Sequence, residues 1–365
     1  MRLAFELSLE HETLPKAEVL ACLDALSVAY EERMSSNGIL VIDAQRSSLE
    51  VLDVLSKRLG MTHCIYEIMG ESKPEEGEIL KLIKNADIDD IMEQGHTFAV
   101  RVNVKMPGEK KPLERALETK AGEIIKRKGY KVNLMNPSKT FVLLFTKQTC
   151  FFCLLLHSAN KKQFEARKPH LRPFFSPGVI MPKFARALVN LSGIKDKELF
   201  LDPFCGTGGI LIEAGLIGAR LIGIDVQEKM VRGAEENLKA YGLNGDLIIG
   251  DASKIALQDN SVDAIVTDMP YGRSSLISGS GYFTVESRAG FLKNLYQNAL
   301  NEIHRVLKAR GKVVVISNSA SIYSLSREYN FIALENHKYR VHKSLNRHIA
   351  VLEKEGGKLF NSEKE

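Results

Sequence analysis

From Met181 onward, short apolar runs alternate with longer stretches of helical period. Glu198 to Asp202 reads as a strand, followed by a helix from Gly208, a strand from Leu221 to Asp225 and a helix from Glu228 to Tyr241. Strands Leu247 to Gly250 and Ala264 to Asp268, a helix from Ala289 to Lys308 and a strand from Lys312 to Ser317 complete the series. A parallel strand reaches its neighbour only through a crossover of roughly a dozen residues or more, so this order specifies an open, doubly wound parallel sheet. The expected class for residues 179–365 is α/β, and ligands of such sheets bind outside the carboxyl ends of the strands.

The first strand ends in Asp202-Pro203-Phe204-Cys205-Gly206-Thr207-Gly208-Gly209 and runs directly into a helix. Glycines admit close approach of a ligand to backbone, and a helix N-terminus favours negative groups. Asp225 ends the next strand, 19 residues after Gly206, where a carboxylate can accept from both hydroxyls of a ribose. Asp251 follows the third, placed to accept from an adenine amino group. A helix N-cap would account for any one Asp alone, but not for three at successive strand ends. The G-x-G-x-x-G phosphate fingerprint is absent, since Leu211 occupies its third glycine position; the pattern fits a nucleoside without a pyrophosphate. The cofactor candidates are Asp202, Phe204, Gly206, Gly208, Asp225, Val226, Asp251 and Ala252. D-P-F-C-G-T-G-G resembles the first motif of nucleic-acid amino methyltransferases, which use S-adenosyl-L-methionine. That resemblance implies that Asp202 holds the methionine ammonium and that the glycines pack against the methionyl moiety.

The fourth strand ends in Asp268-Met269-Pro270-Tyr271, followed by Gly272 and Arg273, and resembles the [DNS]-P-P-[YFW] motif of the same enzymes. An exocyclic amine on a base is a poor nucleophile because its lone pair is delocalised into the ring. Two acceptors, the Asp268 carboxylate and the Met269 carbonyl, would draw the nitrogen toward sp³ and aim its lone pair. Tyr271 would stack on the extruded base. Met269 stands where the family has its first proline, so the φ that proline would fix is lost. Gly272 to Phe283, rich in Ser and Gly, reads as a lid over the base pocket.

Residues 1–70 read as βαββαβ, the split-βαβ or ferredoxin-like order, with Asn37-Gly38 as the central hairpin turn. Gly70 to Gly95 reads as a connector with short helical pieces. A second α+β unit over 71–158 carries a long helix from Pro112 to Lys128, and 159–178 reads as a stiff basic linker. Between Arg101 and Arg186 stand 19 Lys and Arg against five Glu and no Asp, a local excess of +14 in a chain whose net charge is +5. Such a segment attracts polyanions, although charge runs also merely solubilise a surface. The RNA-facing candidates are Lys126, Arg127, Lys128 and Lys131 at the helix end, Arg167, Lys168 and Arg172 in the linker, and Arg273. No metal site is expected: Cys150 and Cys153 form a C-x-x-C inside an apolar run with no second pair at zinc-site spacing, and read as core. No apolar run approaches the ~18 residues of a membrane span, and the alternating N-terminus lacks a secretory core, so a cytoplasmic protein is expected.

Three further segments complete the pattern: Arg172-Pro173-Phe174-Phe175, Pro177-Gly178-Val179-Ile180-Met181-Pro182-Lys183-Phe184-Ala185-Arg186, and His342-Lys343-Ser344-Leu345-Asn346-Arg347. With them the chain resembles, over nearly its whole length, the archaeal tRNA guanine-N2 methyltransferases that modify the guanosine at position ten. The resemblance implies a Rossmann-fold methyltransferase domain preceded by ferredoxin-like and THUMP domains, the latter engaging the acceptor end of tRNA. It further implies N2-methylguanosine and then N2-dimethylguanosine as products, and a monomer or a heterodimer with a small zinc-binding activator. Other readings stay open on the residues alone: a guanine-N2 enzyme for another tRNA or ribosomal RNA site, a DNA adenine methyltransferase, or a catalytically silent RNA-binding module.

Overall fold

The computed structural model describes residues 1–45, 49–104, 111–160, 162–271, 285–342 and 345–356. They form two compact units, one of residues 1–16, 27–57 and 62–160, the other of 17–26, 58–61 and 161–365.

In order, the N-terminal elements are β1 (Arg2–Leu7), α1 (Leu14–Ala25), β2 (Tyr30–Ser36), β3 (Ile39–Ala44), α2 (Leu49–Arg58) and β4 (Thr62–Ser72). There follow α3 (Glu76–Asn85), β5 (Thr97–Val104), α4 (Lys111–Arg127), β6 (Lys131–Val132), β7 (Lys139–Phe145) and β8 (Cys150–Ser158). The expected βαββαβ order is present, and Asn37 and Gly38 both take positive φ, as the hairpin turn requires. The boundary expected near residue 70 falls inside β4, which pairs antiparallel with β8 from Cys64 to Ser72. One eight-stranded sheet results, in the order β2-β3-β1-β4-β8-β7-β5-β6. Its shared face explains why: Ala4, Ile39 and Val41 lie in one apolar cluster with Val142, Leu144, Phe151 and Cys153. Cys150 and Cys153 are indeed core residues of β8, their thiols buried and unpaired by any disulfide. The expected connector contains a regular helix, α3, whose Ile79 and Ile83 pack on Phe98 and Phe141.

The second unit holds α5 (Lys162–Glu165), α6 (Pro182–Leu191), β9 (Leu199–Asp202), α7 (Gly209–Gly215), β10 (Arg220–Asp225), α8 (Glu228–Ala240), β11 (Gly245–Ile249) and β12 (Val262–Asp268). It ends with α9 (Val285–Val306), β13 (Leu307–Ser317), α10 (Ile322–Leu325), β14 (Phe331–His342) and β15 (Leu345–Lys354). The sheet order is β11-β10-β9-β12-β13-β15-β14. Strands β9 to β13 are parallel, as the alternation requires, with α9 laying Tyr296, Leu300 and Ile303 on Ile265, Val313 and Val315. Two further strands, which the alternation up to Ser317 did not include, extend one edge: β14 and β15 pair antiparallel, and β15 pairs antiparallel with β13. Strands that follow each other after so few residues have no room for a crossover. Residues 17–26 and 58–61 belong to this unit because Glu18, wholly buried, accepts from the Gly60 and Met61 N–H groups, both at 2.7 Å, and from the Asn190 amide at 2.8 Å. Among the described residues no helix is long and apolar enough to cross a membrane.

Candidate active site

The glycine turn between β9 and α7 is held by the neighbouring strand. The Cys205 N–H donates to the Ile224 carbonyl at 2.9 Å, and the Gly206 N–H donates to Asp225 Oδ2 at 3.0 Å. The other Asp225 oxygen takes the Gln227 N–H at 2.9 Å, so this carboxylate braces the turn as well as standing at the end of β10. Burial raises its pKa, against the two backbone hydrogen bonds. Gly206 has φ +50° with open space where a Cβ would stand, and Gly208, at φ +76°, lets α7 approach Ala234 of α8 to 3.2 Å from its own ideal Cβ. Any side chain at either position would be strained.

Asp202 is 1% exposed, and its Oδ1 accepts from the Thr267 hydroxyl at 2.8 Å and the Phe204 N–H at 3.2 Å. Burial pushes its pKa up to about 7, the two hydrogen bonds opposing it and the nearby Asp268 and Asp225 charges adding to it. A buried carboxylate in that condition is stabilised by a cation, which is the character of an ammonium. Val226 is exposed at 57% and Asp251 is exposed with Oδ1 on the Ser253 N–H at 2.8 Å, whereas Ala252 and Phe204 pack into or against the core. This set of carboxylate acceptors fits a nucleoside bearing a cationic amino-acid tail.

One strand over, β12 delivers Asp268 at its carboxyl end. The Tyr271 hydroxyl donates to Asp268 Oδ1, and Arg347 Nη2 lies 3.4 Å from Oδ2. Burial raises the Asp268 pKa to about 6, opposed by the Arg347 charge and the Tyr271 hydrogen bond. Met269 is 1% exposed, its side chain in the core and its N–H donating to the Ile316 carbonyl at 2.9 Å. Pro270 is fixed through its carbonyl, which takes the Tyr296 hydroxyl of α9 at 2.8 Å. The four motif residues thus stand together beside the Asp202 turn. Sequence reasoning did not place Arg347 or Tyr296 here; for Arg347 the only signal was its place in the family-like tail segment.

The RNA-facing candidates divide. Lys126, Arg127, Lys128 and Lys131 are all exposed around the end of α4, and Lys128 also donates to the Ala86 carbonyl at 2.6 Å. Lys168 is ion-paired with Glu165. Arg167 and Arg172 are corrected, since both turn inward and the expected linker is packed structure. Arg167 forms a two-pronged pair with the wholly buried Glu213 at 2.8 and 3.1 Å, joined by Arg186 at 2.9 Å. Arg172 is buried against the start of α7. Glu213, set in an otherwise apolar helix, needs cations, and these arginines supply them. Arg273 and the expected lid from Gly272 to Phe283 lie outside the described residues.

The chain is similar to several known proteins. The family described as RMKL-like, methyltransferase domain, matches residues 169–348. A tRNA (guanine(10)-N2)-dimethyltransferase of Methanothermobacter thermautotrophicus is 36% identical over 364 residues, covering 97% of this chain and 100% of that protein. The protein of the same name in Pyrococcus abyssi is 32% identical over 345 residues, covering 93% and 96%. Among solved structures, TrmN from Thermus thermophilus superposes with a TM-score of 0.54 at 20% identity, covering 97% of this chain and 100% of that one. SMU.472, complexed with SAH, gives 0.52 at 14% identity, covering 97% and 98%. These structural likenesses speak for the fold.

Proposed function

The chain belongs to the family of archaeal tRNA (guanine(10)-N2)-dimethyltransferases, and on that premise we propose that it transfers methyl groups to the exocyclic N2 of the guanosine at position ten of tRNA. One contact supports this reading above the others: the Thr267 hydroxyl on Asp202 ties the carboxyl end of the catalytic strand to the cofactor turn, so that amine and methyl donor would meet at adjacent strand ends. S-adenosyl-L-methionine, when bound, supplies a methyl group on a positive sulfur and hence the driving force.

This chain's residues do the rest. Asp202 would face the ammonium, Asp225 the ribose hydroxyls and Asp251 the adenine, with the 204–208 turn against the methionyl part and Val226 and Ala252 beside the base. Asp268 and the Met269 carbonyl would accept from the two N2 hydrogens and aim the lone pair. Asp268, raised to about 6 by burial, is also a base strong enough to take the proton that the nitrogen sheds. Tyr271 must release Asp268 Oδ1 as the amine enters, and its ring is then free to stack on the base. The region from α3 to β8 acts as a THUMP domain holding the tRNA through the basic end of α4, with the region from β1 to β4 as the ferredoxin-like domain and residues 179–365 as the catalytic one. The enzyme works in the cytoplasm, alone or with a small zinc-binding activator.

The test is to incubate the protein with methyl-labelled cofactor and tRNA transcripts, then locate the product by mass spectrometry. N2-methylguanosine and N2-dimethylguanosine at position ten are expected. Label at another guanosine would move the target, and none at any amino group would remove the activity.

A further inference from the structure

The active-site carboxylate is gripped from a strand remote in sequence. Arg347 lies on β15, 79 residues beyond Asp268, and is 6% exposed. Its Nε donates to the Tyr271 hydroxyl at 3.1 Å, while Nη2 donates to the Gly178 carbonyl at 3.0 Å and faces Asp268 Oδ2 at 3.4 Å. The strand itself is well anchored: the neighbouring His348 and Ile349 pair with Ser317 and Ile316 of β13, and Tyr339, the cross-strand partner of Arg347, is stacked on Phe184 of α6 at 4.3 Å. One planar fork therefore ties together two side chains, from the end of β12 and from the turn after it, and the backbone of the segment leading into α6. A guanidinium does this and an ammonium does not, because its donors point in fixed, divergent directions.

We infer that Arg347 is a positioning residue for methyl transfer: it holds Asp268 by Oδ2, so that the carboxylate stays aimed when Tyr271 gives up Oδ1 to the incoming amine, and its Nε meets the Tyr271 hydroxyl in the amine-free state. The inference rests on the proposed reaction but concerns a residue outside both the cofactor turn and the Asp268-Met269-Pro270-Tyr271 motif, one to which the sequence pattern gave no role. Among the described residues, the titratable groups facing Asp268 besides Arg347 are Tyr271 on the following turn, Tyr296 of α9 and Asp202 of β9. Arg347 is the cation among them, so its charge favours the ionised carboxylate that an amine donor needs.

The experiment compares wild type with Arg347→Met and Arg347→Lys on the same tRNA, following kcat against pH, the S-adenosylmethionine dissociation constant and the melting temperature. In parallel, the Asp268 carboxyl is titrated by carbon-detected NMR in cofactor-free protein. For Arg347→Met we expect kcat lowered at least 10-fold, cofactor affinity within about threefold of wild type, and both the acid limb and the Asp268 titration moved up by about one pH unit. For Arg347→Lys the limb stays near the wild-type value, since the charge is kept, while kcat still falls several-fold as the fork is lost. A Met variant with wild-type kcat, or with a lowered kcat and an unmoved Asp268 titration, overturns the inference. Should the Met variant not fold, a Lys variant with wild-type kcat overturns it equally. The NMR titration stands apart from the substrate, so a wild-type enzyme inactive on guanosine N2 would sink the proposed reaction and leave this positioning role to be judged by the titration.

Discussion

The Met269 N–H donates to the Ile316 carbonyl at 2.9 Å, carrying the β12 to β13 ladder one residue past Asp268. A proline, which the related motif places here, has no N–H to give. The backbone that a proline ring would fix is fixed in this chain by a hydrogen bond and a buried side chain.

Met269→Pro should therefore destabilise the protein rather than restore the motif. Losing the ladder bond and the buried thioether costs about 3 kcal/mol or more. Urea denaturation reads this as a lower midpoint, and an unchanged midpoint would show that the bond carries no weight.

Asp202 makes cofactor binding pH-dependent. Its pKa in the free protein is pushed up to about 7 by burial, and a bound ammonium favours the ionised form. Affinity should rise as pH increases through about 7 and fall toward pH 5.5, by up to about tenfold per unit. Calorimetry across that range tests it; Asp202→Asn should bind weakly with no such slope.

The same shift has the opposite consequence for stability. A carboxyl whose folded pKa lies above its unfolded value stabilises the fold only while protonated, and that contribution is lost as pH rises from about 4 to about 7. Asp202→Asn keeps an oxygen for Thr267 and Phe204, so it should be more stable than wild type at pH 8 by more than about 1 kcal/mol. Equal stability at pH 8 would contradict the burial argument.

Much of this was readable in the sequence because the strand and helix periods are strong where crossovers are obligatory. The β9 turn, Asp225 and the end of β12 all fall where the alternation puts them. The eight-stranded sheet was not readable, since pairing of β4 with β8 joins residues some eighty apart and leaves no local trace. Nor was the terminal hairpin, because β14 exposes Ile332 and Leu334 together with Lys338 and Arg340 and has no clean alternation of apolar and polar residues. Arg167 and Arg172 looked like surface charge; only Glu213, an acid amid Ile210, Leu211, Ile212 and Ala214, hinted that cations would be drawn inside.

Glu213→Ala should show how strong that draw is. It leaves Arg167 and Arg186 buried without their shared partner, a loss on the order of 3 to 5 kcal/mol. A variant unfolding within about 1 kcal/mol of wild type would mean that water or another group takes the place of the carboxylate.

Replacing Lys126, Arg127 and Lys128 together by Gln should weaken tRNA binding and flatten its salt dependence by about 0.7 to 0.9 for each phosphate no longer neutralised. Binding titrations at several salt concentrations read the slope. An unchanged slope would remove the end of α4 from the RNA interface.

The most direct measurement is single-turnover methyl transfer by Asp268→Ala beside its cofactor dissociation constant. Transfer reduced by a factor on the order of a thousand, with cofactor affinity close to wild type, is what a carboxylate gripping the amine predicts. Wild-type transfer rates in that variant would contradict it and assign the amine to another acceptor.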